Sequence, residues 1–182
     1  YRREKGPLVD RNAVVNFVFL DTLFPRSVKF CIKGIGEELA GLNHHEEAMR
    51  WYKLAADQGS PEAQWRIGYS YDFGYGVDVD YREAVRWYKL AADQGNSEGQ
   101  LRLGMLYQFG DGVETNYIDA MRWYKLAADQ GSSDAKWHIG SLYDYGGYGV
   151  DEDYNQAIRW YKLASDQGHS RANMSLGNLF YY

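Results

Sequence analysis

Apolar positions along the middle of the chain recur at helical intervals. Within Asp80–Gln94, Tyr81, Ala84, Tyr88 and Ala91 follow a three-four-three spacing that gathers them on one helical face. In the run Glu62–Phe73, Ala63, Ile67 and Tyr71 stand at i, i+4 and i+8, again on a single face. The first pattern defines a helix of type B, the second a helix of type A. Their ends are marked by polar and glycine residues. Asp80 with Glu83 predicts a reciprocal capping box, and Gly95 suits the left-handed residue that closes a helix. Ser60 and Pro61 suit the N-cap and first turn of helix A. Between A and the following B lie Gly74-Tyr75-Gly76-Val77, Gly110-Asp111-Gly112-Val113 and Gly146-Gly147-Tyr148-Gly149-Val150. These are loops in which glycine takes positive φ and the valine tucks beneath the turn.

The pattern is copied along the chain. Residues 50–59, RWYKLAADQG, return unchanged at 86–95 and 122–131, and with one change at 159–168, so the copies begin 36, 36 and 37 residues apart. The longer interval contains the spare glycine of the third loop, where extra length disturbs neither helix. A helix pair of this size cannot bury both apolar faces by itself, so the pairs must stack into an all-α solenoid with a continuous core. The alanines at 84, 91, 120, 127 and 157 permit close helix approach. The tryptophans at 51, 87, 123 and 160 are expected to supply large buried area at each junction.

The ends read differently. Residues 1–43 are a divergent N-terminal cap, in which Val28, Cys31, Ile32, Ile35 and Leu39 trace a degenerate helix A and Asn12–Phe24 an earlier divergent helix. Residues 44–182 form the repeat array, and its last repeat is truncated. Arg171–Tyr182 supplies a helix A without a helix B, leaving Leu176 and Leu179 short of a partner and an apolar end open to self-association. The non-methionine start and this unfinished repeat read as a piece of a longer chain.

Composition narrows the function classes. With 182 residues, 45% hydrophobic, 16% aromatic and a formal charge of −5, the chain is neither disordered nor built to coat nucleic acid. Cys31 is the single cysteine, so no intrachain disulfide framework exists, which favours the cytoplasm. The apolar run Ala13–Phe24 is about half of what a bilayer crossing requires, so no membrane insertion is expected.

The pattern Ala-x-x-x-[Leu/Ile]-Gly-x-x-Tyr, then Gly-x-Gly-Val, then Ala-x-x-Trp-Tyr-x-x-Ala-Ala-x-x-Gly resembles the Sel-one-like repeat, a branch of the tetratricopeptide-like solenoids. It is carried by Ala63, Ile67-Gly68, Tyr71, Gly74, Gly76-Val77, Ala84, Trp87-Tyr88, Ala91-Ala92 and Gly95, and by their copies through Gly168. The resemblance covers residues 44–182 well and 26–43 poorly, with departures at Gly99 and Phe180. It implies a right-handed superhelix of antiparallel helix-turn-helix repeats, and an adaptor that holds partners in signalling, cell-wall or quality-control complexes. One subgroup of bacterial relatives staples each repeat with a cysteine pair. This chain has none, so neither those disulfides nor any enzymatic activity proposed for them carries over.

Helix A has a second face. Trp65, Tyr69 and Asp72 point more than about 100° away from Ala63, Ile67 and Tyr71. The copies read Leu101, Met105 and Gln108, then Trp137, Ser141 and Asp144, then Met174, Asn178 and Tyr181; Phe73, Phe109 and Tyr145 border them. Variation within the repeats concentrates here. The resemblance implies that this face lines a concave groove for a protein or peptide, with aromatic and methionine anchors flanked by polar groups. The competing reading has Trp65 and Trp137 filling the seam between adjacent A helices.

No chemistry competes strongly with that role. The Arg-x-x-Lys ladder at 50/53, 86/89, 122/125 and 159/162 reads as a solvated outer face, partly neutralised by aspartates four residues after each lysine. The glycine loops follow helices and lack the lysine-serine ending of a phosphate cradle. His44 and His45 are adjacent and diverge on a helix, so they make no metal site. Asn173-Met174-Ser175 fits a glycosylation acceptor but falls within a predicted helix. No catalytic triad and no cofactor site are expected. The leading expectation is a non-enzymatic interaction scaffold, and the alternative is a regulatory or targeting arm of a larger multidomain enzyme.

Overall fold

A computed structural model describes residues 44–181. The readings of 1–43, Cys31 included, lie outside these residues. Among the described residues there are eight helices: α1 (His45–Asp57), α2 (Pro61–Phe73), α3 (Tyr81–Asp93), α4 (Ser97–Phe109), α5 (Tyr117–Asp129), α6 (Ser133–Tyr145), α7 (Tyr154–Ser165) and α8 (Ser170–Tyr181). Odd-numbered helices are type B and even-numbered ones type A. Each packs chiefly on its neighbours in sequence, which makes the molecule an all-α solenoid.

Local sequence sets the helix ends. The Ser60 side chain accepts from the Ala63 amide at 3.3 Å, and Asn96 and Ser132 do the same for the next two A helices. Asp80 accepts from the amides of Arg82 and Glu83 at 3.0 and 3.1 Å. The expected capping box is only half made, because the Glu83 carboxylate turns to Arg86 at 3.3 Å and the Asp80 amide donates to the Tyr71 carbonyl instead. That last bond recurs as Asn116 to Tyr107 and Asp153 to Tyr143, at 2.8 and 2.9 Å, and ties each B helix to the A helix before it. The third loop absorbs its extra residue in a tight pair of bonds between Gly147 and Val150, and still delivers Asp153 to the same place.

The core is built on one recurring contact. In α2, α4 and α6 a glycine faces the ring of a tyrosine in the following B helix: Gly68 with Tyr88, Gly104 with Tyr124, Gly140 with Tyr161. A β-carbon at these positions would come within 2.6 to 2.7 Å of the ring. The three tyrosines are the largest fully buried side chains among the described residues. This corrects the expectation for the tryptophans. Trp123 is buried at 7% exposure, but Trp51, Trp87 and Trp160 are half-buried at the edge, one position away from the tyrosines that fill the interior. The loop valines Val77, Val113 and Val150 pack against the core, as the loop pattern implied.

Hydrogen bonds link consecutive repeats. Gln94 Nε2 donates to Gln64 Oε1 at 2.6 Å and Gln130 Nε2 to Gln100 Oε1 at 2.8 Å. At the far end, Leu176 and Leu179 pack on the cluster around Tyr161, whereas Met174, Phe180 and Tyr181 are exposed. Gly177, the counterpart of Gly140, has nothing within 4 Å of where a β-carbon would stand.

Candidate partner-binding face

The A helices place the variable positions side by side. Phe73, Phe109 and Tyr145 end α2, α4 and α6 at the same register, and are 47%, 60% and 75% exposed. Asp72, Gln108 and Asp144, one residue earlier, are half-buried. Each accepts a hydrogen bond from the tyrosine hydroxyl beneath it, at 3.0, 2.6 and 3.0 Å from Tyr88, Tyr124 and Tyr161. The ring that fills the glycine seat thus ends at a polar side chain of the A face, so packing and face are joined through one residue. Burial raises the pKa of all three phenols and keeps them protonated donors. Burial also raises the Asp72 carboxyl, against the lowering effects of the Tyr88 hydroxyl and the Arg102 charge.

The remaining positions divide by depth. Leu101 is buried at 5% exposure beside Ala120 and Tyr124, so it belongs to the core and not to a surface. Met105 and Ser141 are half-buried. Trp65 is half-buried and meets Tyr69 edge-on at 5.8 Å. Tyr69 lies 4.5 Å from Phe73 and 5.7 Å from the loop residue Tyr75, forming one aromatic group. Trp137 is also half-buried, donates from Nε1 to Ser175 Oγ at 3.1 Å, and stacks on His169 at 5.8 Å. Trp137 therefore takes part in the seam, Trp65 packs on the core cluster of Tyr88 and Leu103, and both keep a partly open side.

The structure adds a row that the sequence reading missed. Arg66, Arg102, His138 and Ser175 occupy one register on the four A helices, each next to the position picked from the sequence. Arg102 reaches back over Tyr69 and Phe73 of the preceding A helix, at 5.2 and 5.5 Å. His138 stacks on Tyr124 at 4.8 Å, and its Nδ1 is 3.2 Å from Gln108 Oε1, an oxygen already accepting the Tyr124 hydroxyl. A hydrogen bond there requires the proton on Nδ1. Burial pushes the His138 pKa down to about 4, with Asp134 opposing the shift. The same test of variation within the copies would have found this row.

Among the described residues no group of three His, Cys, Asp or Glu side chains comes together to hold a metal, and no helix is long and apolar enough to cross a membrane. The Arg-x-x-Lys ladder lies outside this face. Arg86 and Lys89 are exposed, and Lys89 pairs with Asp93 at 3.4 Å.

The profile of the Sel1 repeat matches residues 61–96, 97–132 and 133–169, more than half of the chain. The chain belongs to the Sel1-repeat family. A second profile, described as a predicted alpha-helical domain with a conserved ER motif, matches residues 1–64. Among curated proteins, none matches the chain. Among solved structures, a protective antigen of uropathogenic Escherichia coli strains displaying an SLR fold is 32% identical, with a TM-score of 0.79, over 87% of this chain and 34% of that one. A Sel1 repeat protein from Oxalobacter formigenes is 36% identical, with a TM-score of 0.72, over 80% of this chain and 59% of that one. A Sel1 repeat protein from Klebsiella pneumoniae is similar in fold, at 15% identity and a TM-score of 0.52, over 90% of this chain and 91% of that one. The chain thus spans about a third and about three-fifths of the first two relatives. Sel1 repeats are helical scaffolds that mediate protein–protein interactions.

Proposed function

We propose that this Sel1-repeat array is a non-enzymatic adaptor that binds a peptide or protein on the groove of its A helices. The observation that carries the reading is the row Phe73, Phe109 and Tyr145. These are three large aromatic side chains at one register, exposed on helices whose opposite faces are fully used for stacking. A monomer gains nothing in its core from them, whereas aromatic anchors on a polar rim suit an interface. Trp65, Tyr69, Asp72, Met105, Gln108, Trp137, Ser141 and Asp144 form the wall behind the row, and Leu101 supports it from below. The partner is a protein or peptide, not nucleic acid or a bilayer interior, and the setting is the cytoplasm. The exposed residues Met174, Phe180 and Tyr181 of α8 add a second surface for self-association. The span of only part of the relatives' length favours one further reading, in which the array is the regulatory or targeting arm of a larger multidomain enzyme.

The test is a peptide-array screen with the wild type and with the triple variant Phe73→Ala/Phe109→Ala/Tyr145→Ala. Peptides held by the wild type should bind the triple variant at least about tenfold more weakly, equivalent to 1.4 kcal/mol. Equal binding by both proteins moves the partner surface elsewhere.

A further inference from the structure

The seams between successive A helices use equivalent positions in opposite ways. Between α6 and α8, Trp137 Nε1 donates to Ser175 Oγ at 3.1 Å. Between α2 and α4 the corresponding residues are Trp65 and Arg102, so the acceptor is replaced by another donor. Trp65 Nε1 and Arg102 Nε are both buried without a hydrogen-bond partner. Arg102 is half-buried, and among the described residues no carboxylate forms an ion pair with its guanidinium. The Tyr69 and Phe73 rings hold it in place.

We propose that the α2–α4 seam is a carboxylate subsite, which takes one carboxylate of a peptide whose neighbouring apolar side chain lies on Phe73 and Tyr75. This rests on the A-face reading above and names the chemistry recognised there. The terminal nitrogens of Arg102 form the charge-assisted contact, since a guanidinium fork matches a carboxylate. The unspent N–H groups of Trp65 and Arg102 beneath them add positive potential. Exposed Phe73 and Tyr75, at 47% and 39%, provide the apolar shelf beside it. Asp72 of α2 lies within electrostatic reach of Arg102 and of Asp111 in the loop after α4, and Glu62 is paired with Arg66 at 3.6 Å. Asp72 already accepts the Tyr88 hydroxyl at 3.0 Å. Asp72 and Asp111 repel a second negative charge, so the subsite selects a single carboxylate next to an apolar residue over an acidic run. At the α6–α8 seam Ser175 satisfies the indole, and the arginine there, Arg171, lies over the Trp137 ring at 5.5 Å and not at the register of Arg102, so the unspent indole N–H is a feature of the α2–α4 seam.

The test follows the indole and arginine Nε signals of the full chain by 1H–15N NMR during titration with three N-acetylated dipeptides. These are Ac-Phe-Asp-NH2, its neutral isostere Ac-Phe-Asn-NH2, and Ac-Asn-Phe-OH, whose carboxylate is the chain end. The Trp65 and Arg102 signals should shift and saturate with at least one carboxylate probe, at a Kd at least fivefold below that of the neutral isostere; which of the two does so identifies the carboxylate source. Arg102→Gln should remove that preference with the other indole signals in place, and Arg86→Gln on the outer face should keep it. Equal response to Ac-Phe-Asn-NH2 overturns the subsite and leaves the A-face reading standing. No shift of any A-face signal with any probe overturns both.

Discussion

The two faces of each A helix behave differently from repeat to repeat. The face turned to the next B helix repeats its contact three times, with a glycine against a tyrosine ring and the hydroxyl capped by residue 72, 108 or 144. The other face changes at each step, from Arg102 over two aromatic rings to His138 stacked on Tyr124 to Ser175 beneath Trp137. A contact made through backbone proximity leaves no room for variation, because any side chain at the glycine overlaps the ring. Contacts on that face run from the buried His138 to the half-buried Arg102 and Ser175, and admit different residues at each step. Stability is therefore concentrated in the glycine–tyrosine seats, and specificity is left to the rim.

Removing a seat should have the largest effect on this contrast. Tyr124→Ala empties a fully buried position and should cost about 3–5 kcal/mol, read by urea denaturation. The next largest effect is set by pH. The folded-state pKa of His138 is lowered to about 4 from its ordinary 6.5. Between those values the unfolded chain binds more protons than the folded one. The contribution is complete above about pH 6.5 and is lost as pH falls toward about 4, by up to about 3 kcal/mol. Denaturation across that window should show the slope, and His138→Gln should flatten it. Ser175→Ala strands the Trp137 indole N–H and should cost about 1 kcal/mol by thermal melting. The exposed triple variant Phe73→Ala/Phe109→Ala/Tyr145→Ala should lose no more than about 0.5 kcal/mol per site. A loss on the scale of Tyr124→Ala would place the rim in the core and erase the contrast.

Much of the fold was legible because the chain repeats itself. Spacing and copying together identified the helix pairs, the N-caps at Ser60 and Asp80, the left-handed Gly95 and the tucked loop valines. Depth was not legible. Spacing put Tyr88 on the apolar face with Ala84 and Ala91, but the size of the adjacent Trp87 led to the expectation that it too is buried. The glycine opposite decides it, since only Gly68 leaves space for the Tyr88 ring. Leu101 falls on the variable face by angle, but it is buried in the cluster that holds Ala120, Tyr124 and Leu142. The row of Arg66, Arg102, His138 and Ser175 escaped because it is one residue from the chosen face, a 100° step on a helical wheel. Which of two neighbouring stripes meets the next A helix depends on how the repeats stack, and spacing within one helix does not contain that.

The most direct measurement compares Gly104→Ala with Gly177→Ala by urea denaturation under identical conditions. The two residues share one register, but Gly104 faces the Tyr124 ring and Gly177 faces open space. Gly104→Ala should lose about 1–3 kcal/mol through overpacking, while Gly177→Ala should be neutral or gain up to about 1 kcal/mol from helix propensity. Equal effects at the two sites, or a larger loss at Gly177, would contradict the assignment of stability to the glycine–tyrosine seats.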